Sequence, residues 1–390
     1  MKNALYYFHL SFAQLKLTSR LVSAGLWEKN HGLSWGRISS LTQIVTFLIL
    51  HAVTGFRYRK NVQALLESQS LICTGAALMI KYFTMIHKRD QVRRLTSNIE
   101  TNVYMRYRET TPEYPIVLKY SRILYVGGHI MTWGYCCSIF IIAINPAIVY
   151  ITEGRTVLLF FVEIPYVDWS NNTGYWITMA IQITMYMTGF FGMILVDYLC
   201  AFFTSNGVLY VEIFRFHLEQ LNELLVDPGY QLGTSMEIRE EVNQRWRNCL
   251  AEHQHIVEYF EEFSDLWSMI NLAQVCCSVF GICINMLLLF LVRWYASYAI
   301  LFALFIDLSV HFLFGAVIEG KIDDLHNSLV QFSWYLFDDQ RQKEYKLLLL
   351  RSQMPCGMSI AGLAPVNYET YTQIMKMLYQ LFALALNFLK

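Results

Sequence analysis

Residues 333–388 read SWYLFDDQRQKEYKLLLLRSQMPCGMSIAGLAPVNYETYTQIMKMLYQLFALALNF, and this stretch decides the fold. A charged helical pattern feeds a break rich in Pro and Gly, from Pro355 to Pro365. An apolar helix over about 364–389 follows, dotted with Lys376, Tyr379, Gln380 and Asn387. A membrane helix that polar is not lipid-facing all round, because each unsatisfied polar group in hydrocarbon is costly. It faces water or partner helices.

The rest of the chain has the same character. Hydrophobic residues make up 55% and charged residues 15%, with mean hydropathy +0.34, where a soluble domain carries about 25% charged residues. A bilayer span needs roughly 20 mostly apolar residues. Seven blocks qualify, at about 38–56, 66–86, 123–152, 174–203, 267–291, 295–318 and 364–389. The reading is an all-α membrane protein with seven transmembrane helices, organised as one domain over 1–390. Net charge is zero and no dense basic patch occurs, which argues against a nucleic-acid partner. The N-terminal stretch ALYYFHLSFAQLKL lacks a signal-peptide pattern. Its amphipathic spacing predicts a helix lying along the membrane surface.

Seven of the nine cysteines fall inside apolar blocks and none forms Cys-x-x-Cys, so they read as packing residues. His253 and His255 stand among Glu252, Glu258, Glu261 and Glu262. Their i, i+2 spacing points them apart, and they read as a solvated helix face. No metal, no cofactor and no enzymatic motif is expected.

Basic residues near span ends stay cytoplasmic. Five lie in the N-terminal segment and eight between the second and third blocks, whereas the loop after the third has only Arg155 against Glu153, Glu163 and Asp168. That places the N-terminus inside, the acidic loop outside and, after seven spans, the C-terminus extracellular. Arg57, Arg59 and Lys60 dissent. Asn171-Asn172-Thr173, the chain's one Asn-x-Ser/Thr match, falls in the acidic loop and makes Asn171 a glycosylation acceptor. Residues 204–266 repeat apolar positions at helical spacing between carboxylates, predicting a cytosolic helical extension between spans four and five that turns at Asp227-Pro228-Gly229.

Aromatics are 15% of the chain. Met79, Tyr82 and Phe83 share helical spacing on the second span, His129 and Trp133 on the third, and Tyr295 and Tyr298 at the start of the sixth. Such residues belong to an interfacial belt or to helix packing, or else line an apolar ligand cavity with a few polar handles.

The tail resembles the C-terminal signature of insect odorant receptors: Trp334-Tyr335, a Leu-rich run to Arg351, Gln353 and Pro355, a Gly/Pro turn, and Tyr379 to Phe382. Seven spans, an internal N-terminus, the Tyr-rich outer loop with Ile164-Pro165-Tyr166 and Gly174-Tyr175, and His253 before the fifth span also fit. The resemblance implies a plasma-membrane protein of sensory-neuron dendrites. It implies a heterotetrameric, non-selective cation channel pairing a shared co-receptor with a variable subunit that binds a volatile odorant. It places the pocket at Met79, Tyr82, Phe83, His129, Trp133, Tyr295 and Tyr298, with the tyrosine beside Met185, Tyr186, on the fourth span. It places the pore along 364–389 at Tyr379 and Gln380, with Leu384 as the hydrophobic gate and Asn387 beyond it. The co-receptor's long insertion is missing, so the chain reads as the ligand-tuned subunit. Two alternatives stand behind it. Thr370-Tyr371 is shared with gustatory receptors, but Gln380 is followed by Leu381 where they carry Phe; a metabotropic seven-helix receptor lacks its Asp-Arg-Tyr here and has the opposite topology.

Expressed in insect cells, the protein should carry a glycan whose mass shift disappears in Asn171→Gln, and a tag at the C-terminus should be reachable on intact cells. A tag reached only after permeabilisation would contradict the orientation.

Overall fold

The computed structural model describes residues 3–28, 34–231, 236–292, 296–354 and 356–389. Helix α1 (Ala4–Leu21) starts at Asn3, whose side chain accepts from the Tyr6 amide, and α2 (Trp35–Arg57) starts at Ser34, which accepts from Arg37; both satisfy amides orphaned at a helix start. Helices α3 (Val62–Gln69) and α4 (Ile72–His87) form one span with a break at Ser70 and Leu71. Helix α5 (Arg89–Ile99) runs on through a π-helical turn to Tyr104. Helix α6 (Tyr114–Glu153) opens with Pro115 in its first turn and ends at Gly154, whose φ of +68° suits a residue without Cβ.

Two helices set the dimensions. Helix α7 (Asn172–Val226) has 55 residues and α9 (Met236–Val292) has 57, so each spans about 80–85 Å at ~1.5 Å per residue. A hydrocarbon core is ~30 Å thick. Each helix is therefore more than twice as long as that core is thick, and the surplus projects at the end of the bundle opposite the Asn171 loop. The short turn of α8 (Pro228–Gln231) follows α7. Helices α10 (Ala296–Gln331) and α11 (Asp339–Ser352) precede a two-residue hairpin pairing β1 (Ser359–Ile360) with β2 (Ala364–Pro365), which leads into α12 (Tyr368–Leu389).

Six helical stretches among the described residues are long and apolar enough to cross a bilayer: Trp35–Arg57, Val62–His87, Tyr114–Glu153, Asn172–Val226, Met236–Leu291 and Ser297–Gln331. Helix α12 falls outside that set. Its 22 residues span about 33 Å, and its polar positions lower its hydropathy.

The projecting end continues the core of the bundle. Leu218, Leu221 and Leu225 of α7 and Val242 and Trp246 of α9 are buried there. Phe332, Phe337 and Tyr345 join the same cluster, and Trp246 donates to Glu344 at 2.8 Å. His253 and His255 are packed into this region, not solvated. The His253 ring lies 5.9 Å from Phe214, and His255 lies edge-on to Tyr210 at 5.1 Å. The i, i+2 spacing does point them apart, but towards two aromatics of the same neighbouring helix, α7.

Helix α1 differs in the same way from the surface helix its pattern predicts. It packs against α6 and α7, with Phe8, Phe12 and Leu15 buried. Its polar face is also engaged, since Gln14 accepts from Tyr198 at 2.9 Å and approaches His129 at 3.3 Å. Amphipathic spacing fixes that one stripe is buried; it does not say whether lipid or protein covers it.

The hairpin leading to α12 is clamped to two spans. Asn271 donates to Ser359 O at 3.0 Å, Asn367 donates to Glu319 at 3.1 Å, and Tyr371 meets Ser309 at 2.8 Å. Gly315 permits the closest approach: a Cβ there would sit 1.9 Å from the Val366 carbonyl oxygen. Gly315→Ala should therefore cost on the order of 1–3 kcal/mol and reduce surface expression by cell-surface labelling. Gly320→Ala, with nothing within 4 Å of its added Cβ, should leave expression unchanged.

Candidate functional site

Polar and charged side chains from five spans meet inside the apolar bundle. Lys81 of α4, with its side chain fully inaccessible, donates to Asp197 Oδ1 of α7 at 2.9 Å. Tyr135 of α6 donates its hydroxyl to Asp197 Oδ2 and lies 3.5 Å from Asp307 Oδ1 of α10. Gln274 of α9 donates to Asp307 Oδ2 and, at 2.9 Å, to Ser278. His311, one turn beyond Asp307, is buried beside both carboxylates. An isolated charge in hydrocarbon is expensive, and the pairing of Lys81 with Asp197 offsets it.

None of these residues was singled out by the sequence reading. Their signal was present: Lys81, Asp197, Asp307 and His311 each interrupt an apolar block, and an ionisable residue within a membrane span marks a functional position by default.

The aromatic positions predicted to bind ligand are distributed around this junction. Met79, Tyr82 and Phe83 do not share one environment. Tyr82 is buried and donates to Val22 O at 3.1 Å, Met79 is partly buried, and Phe83 is exposed and stacked on His87. Successive helical residues diverge by about 100°, so Tyr82 and Phe83 flank Met79 on opposite sides. On α6, His129 meets Tyr125 edge-on and Gln14, while Trp133 is 68% exposed on the bundle surface. Tyr298 is exposed on the first turn of α10; Tyr295 lies outside the described residues. Tyr186 packs edge-on against Phe160. That contact borders a small apolar pocket lined by Phe47, Leu50, His51, Phe160, Gln182 and Met185, among others.

Helix α12 presents two faces. Ile374 and Leu378 are buried, and Phe382 packs on Phe290 at 4.8 Å. Gln373, Lys376, Met377, Gln380, Leu384 and Asn387 follow at offsets of 3, 4, 7, 11 and 14 from the first, which is one helical stripe. All six are exposed, with Leu384 at 54%, and Tyr379 stands exposed at its edge. The tail's polarity is therefore concentrated on the side turned away from the protein's own core.

The acidic loop carries exposed Asn171, hydrogen-bonded to Asp168 at 3.0 Å. Glu163 of that loop receives Arg57 at 2.5 Å and Tyr58 at 2.6 Å. Of the basic residues that dissented from the charge bias, Arg57 is thus held against the acidic loop. At the opposite end, His217 of α7 bridges Glu113 at 2.9 Å and Glu252 of α9 at 2.8 Å, one carboxylate on each ring nitrogen.

The sequence model of the 7tm odorant receptor family matches residues 61–379. Two curated proteins of Drosophila melanogaster are similar along most of their length. The putative odorant receptor 83c is 22% identical, over 90% of this chain and 88% of that protein. Odorant receptor 10a is 22% identical, over 93% of each. Among solved structures, the olfactory receptor OR5 of Machilis hrabei in complex with eugenol superposes with a TM-score of 0.76 at 13% identity, covering 98% of this chain and 99% of that one. A second structure of the same receptor gives a TM-score of 0.73 at 13% identity, covering 97% and 99%. At that identity the likeness is one of fold.

The His217 bridge carries a pH dependence. Burial works to lower the His217 pKa, but hydrogen bonds and charge from Glu252, then Glu113, hold it above the ordinary 6.5. Burial works to raise Glu113, but the bond from His217 holds it below the ordinary 4.5. A raised histidine stabilises fully below 6.5 and loses that contribution as pH rises through its folded value. A depressed carboxylate stabilises above 4.5 and loses its contribution as pH falls through its folded value. The bridge is therefore strongest between about 4.5 and 6.5. The melting temperature of purified receptor should fall on going from about pH 6 to about pH 8, and His217→Gln should flatten that difference. An unchanged pH profile in the variant would contradict it.

Proposed function

The chain belongs to the 7tm odorant receptor family, and from that premise we propose that it is the variable, odorant-binding subunit of a ligand-gated, non-selective cation channel completed by a co-receptor subunit. The polar stripe on α12 carries this reading. A stripe with Gln373, Lys376, Gln380 and Asn387 turned away from its own bundle is costly against lipid. The cost is relieved if several subunits bring their α12 helices round one water-filled axis. Leu384 then forms a hydrophobic constriction that holds the path shut by dewetting. Asn387, one turn further on, offers an amide in partial replacement of a passing ion's hydration without fixing a charge.

The N-terminus and the extension of α7 and α9 lie in the cytosol in this reading, with the Asn171 loop and the end of α12 outside. The basic first and third segments and the Arg57–Glu163 pair support that orientation. The ligand is a small volatile molecule held among α4, α6, α7 and α10. Trp133, Phe83 and Tyr298 offer aromatic surface on three of those helices, and all three are exposed in the isolated chain. The same exposure suits lipid contact, so ligand potency discriminates between the two. In this reading the protein resides in the plasma membrane of sensory-neuron dendrites.

Co-expressed with a co-receptor and screened against an odorant panel, the chain should give agonist-evoked cation current that persists when G-protein signalling is blocked. A response abolished by that block would assign it to the metabotropic class instead. Trp133→Ala and Tyr298→Ala should each reduce agonist potency about tenfold to a hundredfold, as loss of ~1–3 kcal/mol of aromatic contact implies, at unchanged surface expression. Leu384→Ser should raise agonist-independent current, and Asn387→Ala should alter permeability ratios more than potency. Normal expression with unaltered basal current and permeability in both would remove α12 from the pore.

A further inference from the structure

The charges at the buried junction do not cancel. Lys81 contributes one positive charge, and Asp197 and Asp307 contribute two negative ones. With His311 neutral, the junction is short of one positive charge. In a low-dielectric interior an unbalanced charge is the costliest feature a fold can hold.

Two buried side chains at the same place lack partners. His311 is 2% exposed, and neither of its ring nitrogens has a hydrogen-bond partner. Gln274 is 1% exposed, and its Oε1 has none, although its Nε2 donates to both Asp307 and Ser278. Each carries a lone pair that no protein group uses. One ring nitrogen of His311 and one oxygen each from Asp197 and Asp307 all lie within 4.8 Å of one another.

We propose that Asp197, Asp307 and His311, with Gln274 Oε1, bind one small monovalent cation of the sodium class. Several observations choose this ligand over others. One positive charge makes the junction neutral, whereas a divalent ion would leave it positive beside the buried Lys81 ammonium. Protonating His311 would also balance the charge, but it would place an N–H on each ring nitrogen, and neither nitrogen reaches an acceptor. Three of the four donors are oxygens, the preference of a hard cation. Lys81 and Tyr135 hold Asp197 through separate oxygens, and each oxygen keeps a lone pair for the ion. Asp307 is half-buried, which leaves an approach from the bundle surface. The ligands come from α7, α9 and α10, so the cation ties three spans at one level.

The test is thermal unfolding of the purified full-length receptor in sodium chloride against choline chloride at equal ionic strength, paired with radioactive sodium binding to the same preparation. A ligand that binds only the folded state stabilises it by mass action. Sodium should therefore raise the melting temperature saturably, by about 2–4 °C, and sodium should bind with saturation at one ion per chain. Asp307→Asn keeps the shape and removes the excess charge, so it should abolish the sodium-dependent rise. His311→Gln, which leaves both carboxylates in place, should weaken sodium binding and serves if the first variant does not fold. Equal melting temperatures of the wild type in sodium and choline, a sodium effect that survives in the variants, or a junction that responds to pH and not to sodium would each overturn the assignment.

Discussion

The ion pair between Lys81 and Asp197 sets the arrangement of the membrane bundle. Neither side chain is accessible, and the pair is 2.9 Å long. In hydrocarbon neither residue can be left alone, so α4 and α7 are fixed in register at that level. Tyr135 then draws α6 to the same carboxylate, and Asp307 with Gln274 adds α10 and α9. Apolar packing between membrane helices is weakly directional, because lipid tails compete on equal terms for the same surface. A polar junction shared by five helices supplies the direction that packing lacks.

From that level the long helices carry the fold in one direction only. Helices α7 and α9 run on together and carry the core of the bundle with them, around Trp246, Phe332 and Tyr345. The His217 bridge adds Glu113, at the start of α6, to the same pair. Helix α12 enters last and is positioned from outside itself. The hairpin before it is hung on α9 through Asn271 and on α10 through Asn367 and Gly315. Helix α10 thus carries Asp307 and His311, and it also anchors the helix proposed to line the pore.

Much of this architecture was legible in the chain. Six of the seven apolar blocks fall on helices long and apolar enough to cross a bilayer, because length and hydropathy are local properties. The polarity of the tail pointed to a helix with one face off the core, and α12 has such a face. What the sequence did not yield was partner choice. The pattern of α1 fits a helix on lipid as well as one in a groove between α6 and α7. His253 and His255 read as solvated because carboxylates surround them in sequence, while in space Phe214 and Tyr210 do. Tyr82 and Phe83 looked equivalent by spacing, yet one lies in the core and the other on the surface. The junction was missed for a different reason. Its members are isolated polar residues in five separate blocks, and only the tertiary fold shows that they meet.

The claim that the Lys81–Asp197 pair organises the bundle is tested most directly by a double-mutant cycle, read as thermal stability of the purified receptor. Lys81→Met takes the one buried ammonium from two carboxylates, and Asp197→Asn takes from that ammonium its paired carboxylate. Each single change should cost on the order of 3–5 kcal/mol. The double variant removes both charges and should recover a large part of that loss, giving a coupling well above the ~0.5 kcal/mol found for independent sites. Losses that simply add in the double variant would contradict the account.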